Sequence, residues 1–302
     1  MIDGLAKYRL ALSKRELSLE TIARYASDVL DFVAWLGSGS LSSVKSEEVL
    51  RYVESLKQRG LSPQRINNYL NSLSQYYRLV HQDYNPVGIL RLQSHRGNVL
   101  EQVLDYEELE LLYASHPSGS DREKRNRVLL GMLVYQGLST GDIHQLKVKS
   151  VDLEKGCLSI PGHGRTNGRE LELKVFQVLA LQEYLLVVRP RLLEQLSGVV
   201  AGRRAVVDAR VEEQLFFSRS GSVALKNSLK YLFVDLKNLN PKVVSVKQLR
   251  ASVLAHWLRD RDVRQVQYLA GHRYVSSTER YDLYRYEALK TQLEQYHPLQ
   301  SS

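Results

Sequence analysis

The chain has a single cysteine, Cys157, in 302 residues, with two methionines, two tryptophans and seven prolines. One cysteine excludes an intrachain disulfide and any cysteine-rich zinc site, and it fits a reducing compartment. No window approaches 18 consecutive apolar residues, and the opening MIDGLAKYRLALSKRE lacks an uninterrupted apolar core of signal-peptide length. The expectation is a soluble cytoplasmic protein with no membrane partner. Internal repeats and low-complexity tracts are also missing.

An acidic excess is absent too. The 42 Lys+Arg against 33 Asp+Glu leave a formal charge of +9 and a pI near 9.4. That balance favours a polyanionic partner, because each phosphate neutralised releases a condensed counterion. Ribosomal and membrane-surface proteins share the bias. Residues 1–100 carry 13 basic and 9 acidic side chains, so the excess is spread along the chain and not gathered in a disordered basic arm.

At 34.6 kDa the chain suits two domains. Residues 1–82 are patterned as helix almost throughout, with Ser18 read as a cap before Ile22, Tyr25, Val29, Phe32 and Leu36 at helical spacing. GSGSLSS interrupts. A third helix is expected over about 46–59, and Ser62-Pro63 caps a fourth. The exposed face of that fourth helix is expected to carry Gln64, Arg65, Asn68 and Asn71, side chains that hydrogen-bond bases and phosphates or form a solvated polar face. Pro86 and Gly88 then introduce a polar, basic stretch. The domains are drawn as 1–86, a linker over 87–102, and 103–302, the last opened by the capping-box pair Asp105 and Glu108. Within it, KVKSVDLEKGCLSIPGHGRTNGRELELKV switches to strand-like runs with Gly-rich turns, a small antiparallel sheet on a largely helical domain.

The chemistry-bearing residues lie far apart in the chain. Lys247 and Arg250 are three residues apart on one helical face; His272 follows Arg250 by 22 positions and precedes Tyr281 by nine. Taken singly, a helical tyrosine is most often packing and a Gly-His pair most often closes a helix. No metal-ligand pattern and no Gly-rich phosphate loop accompanies them. In this order and spacing they resemble the tyrosine recombinase (phage integrase) family, whose catalytic domain carries a His-or-Lys-x-x-Arg pair, then a Leu-x-Gly-His motif, then a nucleophilic tyrosine. The resemblance covers nearly the whole chain. SLETIARYASDVLDFVAWL stands in place of the family's Thr-x-x-x-Tyr-x-x-Asp stretch, Asn85-Pro86 closes the last helix of a core-binding domain, and VLDYEELELLY resembles the start of the catalytic domain.

Two positions depart from the pattern. In GMLVYQGLSTGDIHQL, Ser139 stands where the family has its first catalytic arginine, and no arginine lies between Arg127 and Arg165. The family's Gly-Lys-Gly is Gly-His-Gly here, with His163 at the lysine position and Arg165 and Arg169 following.

The resemblance implies a mainly α, tyrosine recombinase fold: a four-helix core-binding domain and a mostly helical α+β catalytic domain. It implies a site-specific recombinase or integrase, serving a mobile element, that cuts duplex DNA through a 3′-phosphotyrosine on Tyr281. Arg250 and His272 would bind the scissile phosphate, Lys247 would assist by charge or proton transfer, and His163 would serve as general acid. Arg165, or failing that Arg169, would supply the charge Ser139 lacks; alternatively both only touch DNA phosphates, Arg169 being counted with the DNA-binding residues. No cofactor or metal is implied. The partner is duplex DNA at a recombination site, with a homotetramer assembled through a tail helix at about 282–296, in the nucleoid. That tail equally suits packing on its own domain. The other reading is a DNA-binding accessory member that has lost chemistry.

Overall fold

The computed structural model describes residues 2–15, 17, 19–37, 40–81, 84–93, 103–164, 166–197 and 208–282. Two sequence expectations, the Ser18 cap and the tail helix beyond residue 282, lie outside them. The chain divides into two compact units, residues 1–99 and 100–302.

The first unit is a bundle of α1 (Ile2–Ser13), α2 (Leu19–Leu36), α3 (Ser46–Gln58) and α4 (Pro63–Val80). The stripe expected on α2 faces the bundle core: Val29 and Phe32 are fully buried, with Ile22, Tyr25 and Leu36 packed at the margin. The core is rich in tyrosine, and three of its buried phenols donate to polar partners. Tyr8 donates to the Ser72 carbonyl at 3.0 Å, Tyr77 to the Leu41 carbonyl at 2.9 Å and Tyr52 to Asp31 at 2.7 Å. Asp28, 1% exposed, accepts from Arg65 and Ser72, both at 2.7 Å, and ties α2 to α4. α4 starts as its sequence requires, with Ser62 Oγ accepting from the Arg65 amide and proline at the first helical position.

The stretch expected as linker is packed on this unit over its first part. Val87 is buried in the bundle core, and Leu92 exchanges two backbone hydrogen bonds with the side chain of Asn67, each 2.9 Å. The apolar residues among the polar ones decide this, since Val87, Leu90 and Leu92 all have core to cover.

The second unit contains α5 (Tyr106–Ala114), α6 (Asp121–Tyr135), α7 (Thr140–Gln145), strands β1 (Val151–Asp152), β2 (Cys157–Ile160) and β3 (Arg169–Glu172), then α8 (Val175–Glu183), α9 (Arg189–Ser197), α10 (Lys226–Leu239), α11 (Val246–Asp260), α12 (Val263–Ala270) and α13 (Ser276–Glu279). The sheet is antiparallel in the order β1-β2-β3, with Ile160 opposite Arg169. α6 buries Val128 through Val134 without a break and packs on α11, which buries Gln248 through Ala255. Helical stretches buried on every side belong at the centre of a unit. Capping boxes open α5 at Asp105/Glu108 and α6 at Ser120/Glu123. Between α8 and α9 the chain passes through a π-helical turn, Tyr184–Val188. There Tyr184 donates to the Leu215 carbonyl and Arg189 to the carbonyls of Val211, Glu212 and Gln214.

Candidate active site

Two glycines shape the backbone at the site. Gly137 follows α6 at φ +56°, and a Cβ there would lie 3.1 Å from Val253 of α11. Gly271 ends α12 in the left-handed conformation, φ 68°, and a Cβ there would press on the Arg169 guanidinium and the Asn167 carbonyl. Glycine accepts both the dihedral and the close approach. The turn between β2 and β3 lies against this second corner: the Asn167 amide donates to the Gly271 carbonyl at 2.9 Å, and Thr166 pairs with His272. In this way β2–β3, α11 and the α12–α13 corner bring residues 163, 169, 250, 272 and 281 together.

Arg250 is 8% exposed and its fork is fully engaged. Nη1 donates to the Gly137 carbonyl and Nη2 to the Ala270 carbonyl, both at 2.6 Å, and Nη2 also lies 3.1 Å from His272 Nε2. Burial lowers its pKa, opposed by the charge of Asp142, whose Oδ2 is 3.5 Å from Nη1. Asp142 is wholly buried and receives a two-pronged pair from Arg169, Nη1 to Oδ1 and Nη2 to Oδ2, each 3.1 Å. Burial raises the Asp142 carboxyl, but the bonds and charge of Arg169 and the bonds from Ser139 outweigh it and leave it below the usual carboxylate range. Two guanidinium groups against one carboxylate leave one net positive charge in this buried cluster.

His272 stands between Arg250 and the tyrosine. Its Nδ1 is 2.8 Å from Thr278 Oγ1, and its ring is stacked on that of Tyr281, centroids 6.1 Å apart and 10° from parallel. Burial, and after it the charges of Arg250, Arg169 and Arg280, push the imidazole down to about 4. Tyr281 is 8% exposed and packs with Ala251, Leu254, Leu258, Val266 and Ala270. His163 reaches toward α7 from the hairpin: its Nδ1 is 3.1 Å from Thr166 Oγ1 and 4.0 Å from Asp142 Oδ1. Gly141 makes room, since a Cβ there would lie 2.5 Å from His163 Nε2. Lys247 is exposed, one helical turn before Arg250 on α11.

Arg169 is corrected by this geometry. Counted among residues touching DNA phosphates, its side chain is instead 0% exposed, held by Asp142 on one side and by the Leu269 carbonyl at 2.8 Å on the other. A guanidinium so enclosed contacts no phosphate from this position. Arg165 lies outside the described residues. In the first unit, Gln64 and Asn71 are exposed on α4, whereas Asn68 and Arg65 are half-buried, and Arg65 is paired with Asp28 and lies over the Tyr69 ring at 4.1 Å.

Sequence reasoning missed Asp142 and Thr278. The signal for Asp142 was present as Ser139-x-x-Asp142, a capping-box spacing. The Ser139 amide and hydroxyl donate to Asp142 Oδ2 at 2.8 and 2.7 Å, and Ser139 Oγ accepts from the Asp142 amide at 3.1 Å. Ser139 thus caps α7 and fixes the carboxylate that both arginines face. Among the described residues no group of three or more His, Cys, Asp or Glu side chains converges as a metal site, and no helix is long and apolar enough to cross a membrane.

A helical bundle followed by a mostly helical unit with a three-stranded antiparallel sheet, presenting Arg250, His272 and Tyr281 together, is the build of a tyrosine recombinase. Residues 102–287 match the Phage integrase family and residues 5–85 match "Phage integrase, N-terminal SAM-like domain". The chain belongs to the phage integrase family. It is 25% identical over 308 residues to tyrosine recombinase XerD of Rickettsia bellii, covering 96% of each chain, and 26% identical over 294 residues to tyrosine recombinase XerD of Pasteurella multocida, covering 94% of each. Among solved structures, the XerH site-specific recombinase bound to palindromic difH substrate in a post-cleavage complex shares the fold, with TM-score 0.72, 22% identity, and 92% of this chain and 80% of that one covered.

Proposed function

We propose that this protein is a site-specific recombinase that cuts and rejoins duplex DNA through a 3′-phosphotyrosine on Tyr281. In the reaction the tyrosine oxygen attacks a backbone phosphorus, the P–O5′ bond breaks, and the 5′-oxygen leaves as a hydroxyl that later attacks the partner strand's phosphotyrosine. The number of phosphodiester bonds is conserved, so no energy source is consumed. The observation that carries this reading is the contact of Arg250 with His272 and of His272 with Tyr281, three groups brought from separate helices and loops.

Each residue has a role its chemistry suits. Arg250 offers a permanent charge and a planar fork to the nonbridging oxygens. His272 joins it on the same phosphate, and exposed Lys247 adds charge or a proton at the rim of the site. His163 is the candidate general acid toward the leaving oxygen. Removing an oxyanion donor typically costs about 100- to 1000-fold in rate, so Ser139 at the family's arginine position needs a compensating cation. Arg165 is the candidate, because Arg169 is committed to Asp142. Tyr281 is sequestered in the free protein, and DNA binding must draw it out to reach phosphorus.

Residues 1–86 would grip the DNA through the Gln64, Asn68 and Asn71 face of α4, with residues 103–302 closing on the scissile phosphate. Assembly as a homotetramer through the tail, service to a mobile element and residence on the nucleoid belong to the same proposal.

The substitution at Ser139 supports a second reading, a DNA-binding accessory member without chemistry. One experiment separates them. DNA covalently attached to the protein is recovered from cells under denaturing conditions, with Tyr281→Phe as control, and its ends are sequenced. Adducts that vanish in the variant establish the recombinase; no adduct together with salt-sensitive duplex binding establishes the accessory reading.

A further inference from the structure

The two ring nitrogens of His272 face different partners. Nε2 lies 3.1 Å from Arg250 Nη2, and Nδ1 lies 2.8 Å from Thr278 Oγ1. A guanidinium has donors and no acceptor, so a proton on Nε2 would set two donors against each other; the Nδ1–H form this favours is held only while the buried Nδ1–H has an acceptor, and Thr278 Oγ1 is that acceptor. The proton of the neutral imidazole therefore resides on Nδ1 and is donated to Thr278 Oγ1. Thr278 is wholly buried, and it is fixed through its backbone as well: its amide donates to the Val275 carbonyl at 2.7 Å, and its carbonyl accepts from the Tyr281 amide at 2.9 Å. One residue thus holds the imidazole through its side chain and the tyrosine through its main chain.

The surroundings favour a single ring proton in the free protein. Burial opposes a second one most, the charges of Arg250, Arg169 and Arg280 oppose it further, and the charge of Asp142 favours it. The Arg250 fork is meanwhile engaged with the Gly137 and Ala270 carbonyls and with Nε2. A phosphate oxygen taking up this fork must displace one of these acceptors. The bond to Nε2 joins two side chains and exchanges without disturbing either backbone corner.

We propose that Thr278 is a positioning residue that fixes His272 as the Nδ1–H tautomer, keeping Nε2 an acceptor held by Arg250 until a scissile phosphate takes over that arginine donor. The proposal rests on the reading of Arg250 and His272 as the phosphate-binding pair. When the phosphate oxygen replaces Nε2 at Nη2–H, the freed Nε2 lone pair takes a proton from solvent and becomes a donor to the same phosphate. Thr278 Oγ1 holds Nδ1–H throughout, so the ring needs no flip between its two states. His272 would then switch from acceptor to donor only when DNA is seated.

The full chain is labelled with ¹⁵N-histidine, and its imidazole nitrogens are read by long-range ¹⁵N–¹H correlation, His272 being assigned among the eight histidines by loss of its signals in His272→Gln. Wild type is compared with Thr278→Ser, which keeps the hydroxyl, and Thr278→Val, which keeps the shape. The expected result is a protonated Nδ1 and a bare Nε2 in wild type and Thr278→Ser, and an averaged mixture of tautomers in Thr278→Val. Single-turnover cleavage of a nicked duplex should fall about 10-fold in Thr278→Val and stay within about 3-fold in Thr278→Ser. A wild-type ring protonated at Nε2, or an unchanged tautomer in Thr278→Val, overturns the proposal. If Thr278→Val does not fold, the wild-type and Thr278→Ser spectra still decide. The spectra need no DNA, so the expected tautomer in a protein that never cleaves would uphold the role of Thr278 and refute the recombinase reading alone.

Discussion

Arg169→Met tests the buried charge cluster that underlies the site. The variant keeps the length and bulk of the side chain and removes its charge, leaving Asp142 in a fully buried position without its two-pronged partner. Removing one member of a buried ion pair costs about 3–5 kcal/mol. The lower end applies, because Asp142 keeps the Ser139 amide and hydroxyl and has Arg250 only 3.5 Å away. A loss of about 3 kcal/mol with a urea slope of about 2 kcal/mol/M moves the unfolding midpoint of the second unit down by about 1.5 M. Trp257 belongs to that unit and Trp35 to the first, so Trp257 fluorescence in a Trp35→Phe background reads the second unit alone. Adding Asp142→Asn removes the stranded charge and should restore the midpoint to within about 0.5 M of the parent. The single variant should also lose more cleavage than its stability loss explains, since the freed carboxylate competes with phosphate for Arg250. An Arg169→Met midpoint within about 0.3 M of the parent would rule this out, because an enclosed carboxylate that loses its two-pronged partner is destabilised even with Arg250 nearby.

Gly271→Ala should destabilise the second unit by about 2 kcal/mol, combining the left-handed backbone with crowding against Asn167 and Arg169, and the same urea titration reads it. Stability should fall in mild acid through His272. Its folded-state pKa of about 4 lies below the ordinary value near 6.5, so the unfolded chain takes the proton first, and the contribution, full above that ordinary value, fades as pH drops toward 4. Discounted for partial exposure, the loss between about pH 7 and about pH 5 is about 1 kcal/mol. His272→Gln should remove that part of the acid sensitivity and leave the part due to His116 and His256, which burial also pushes down.

Much of the fold was legible because its signals are local. Ser62-Pro63, the Asp105/Glu108 box and the stripe from Ile22 to Leu36 are each written within one helix, and the structure places all three as helical physics requires. The gathering of Arg250, His272 and Tyr281 was legible through the resemblance of their order and spacing to the tyrosine recombinase pattern, since no local rule brings them together. What the sequence hid depends on pairs distant in the chain. Arg169 reads as a basic residue in a polar turn, and only the approach of α7, 27 residues earlier, shows that its charge is consumed inside. Val87 and Leu92 read as linker because the surface they cover belongs to α4. The π turn at Tyr184–Val188 hides for the same reason: helical periodicity continues through it, and its anchors at Leu215 and Val211 are distant in sequence.

The most direct test of the account is the site of covalent attachment. The protein is incubated with nicked duplex bearing its recombination site, denatured, digested with nuclease and protease, and the peptide carrying residual nucleotide is sequenced by mass spectrometry. The expected result is nucleotide on Tyr281, joined through a 3′-phosphate, with the adduct lost in both Tyr281→Phe and Arg250→Ala. Nucleotide on any other residue, or tight salt-sensitive binding with no adduct at all, would contradict it.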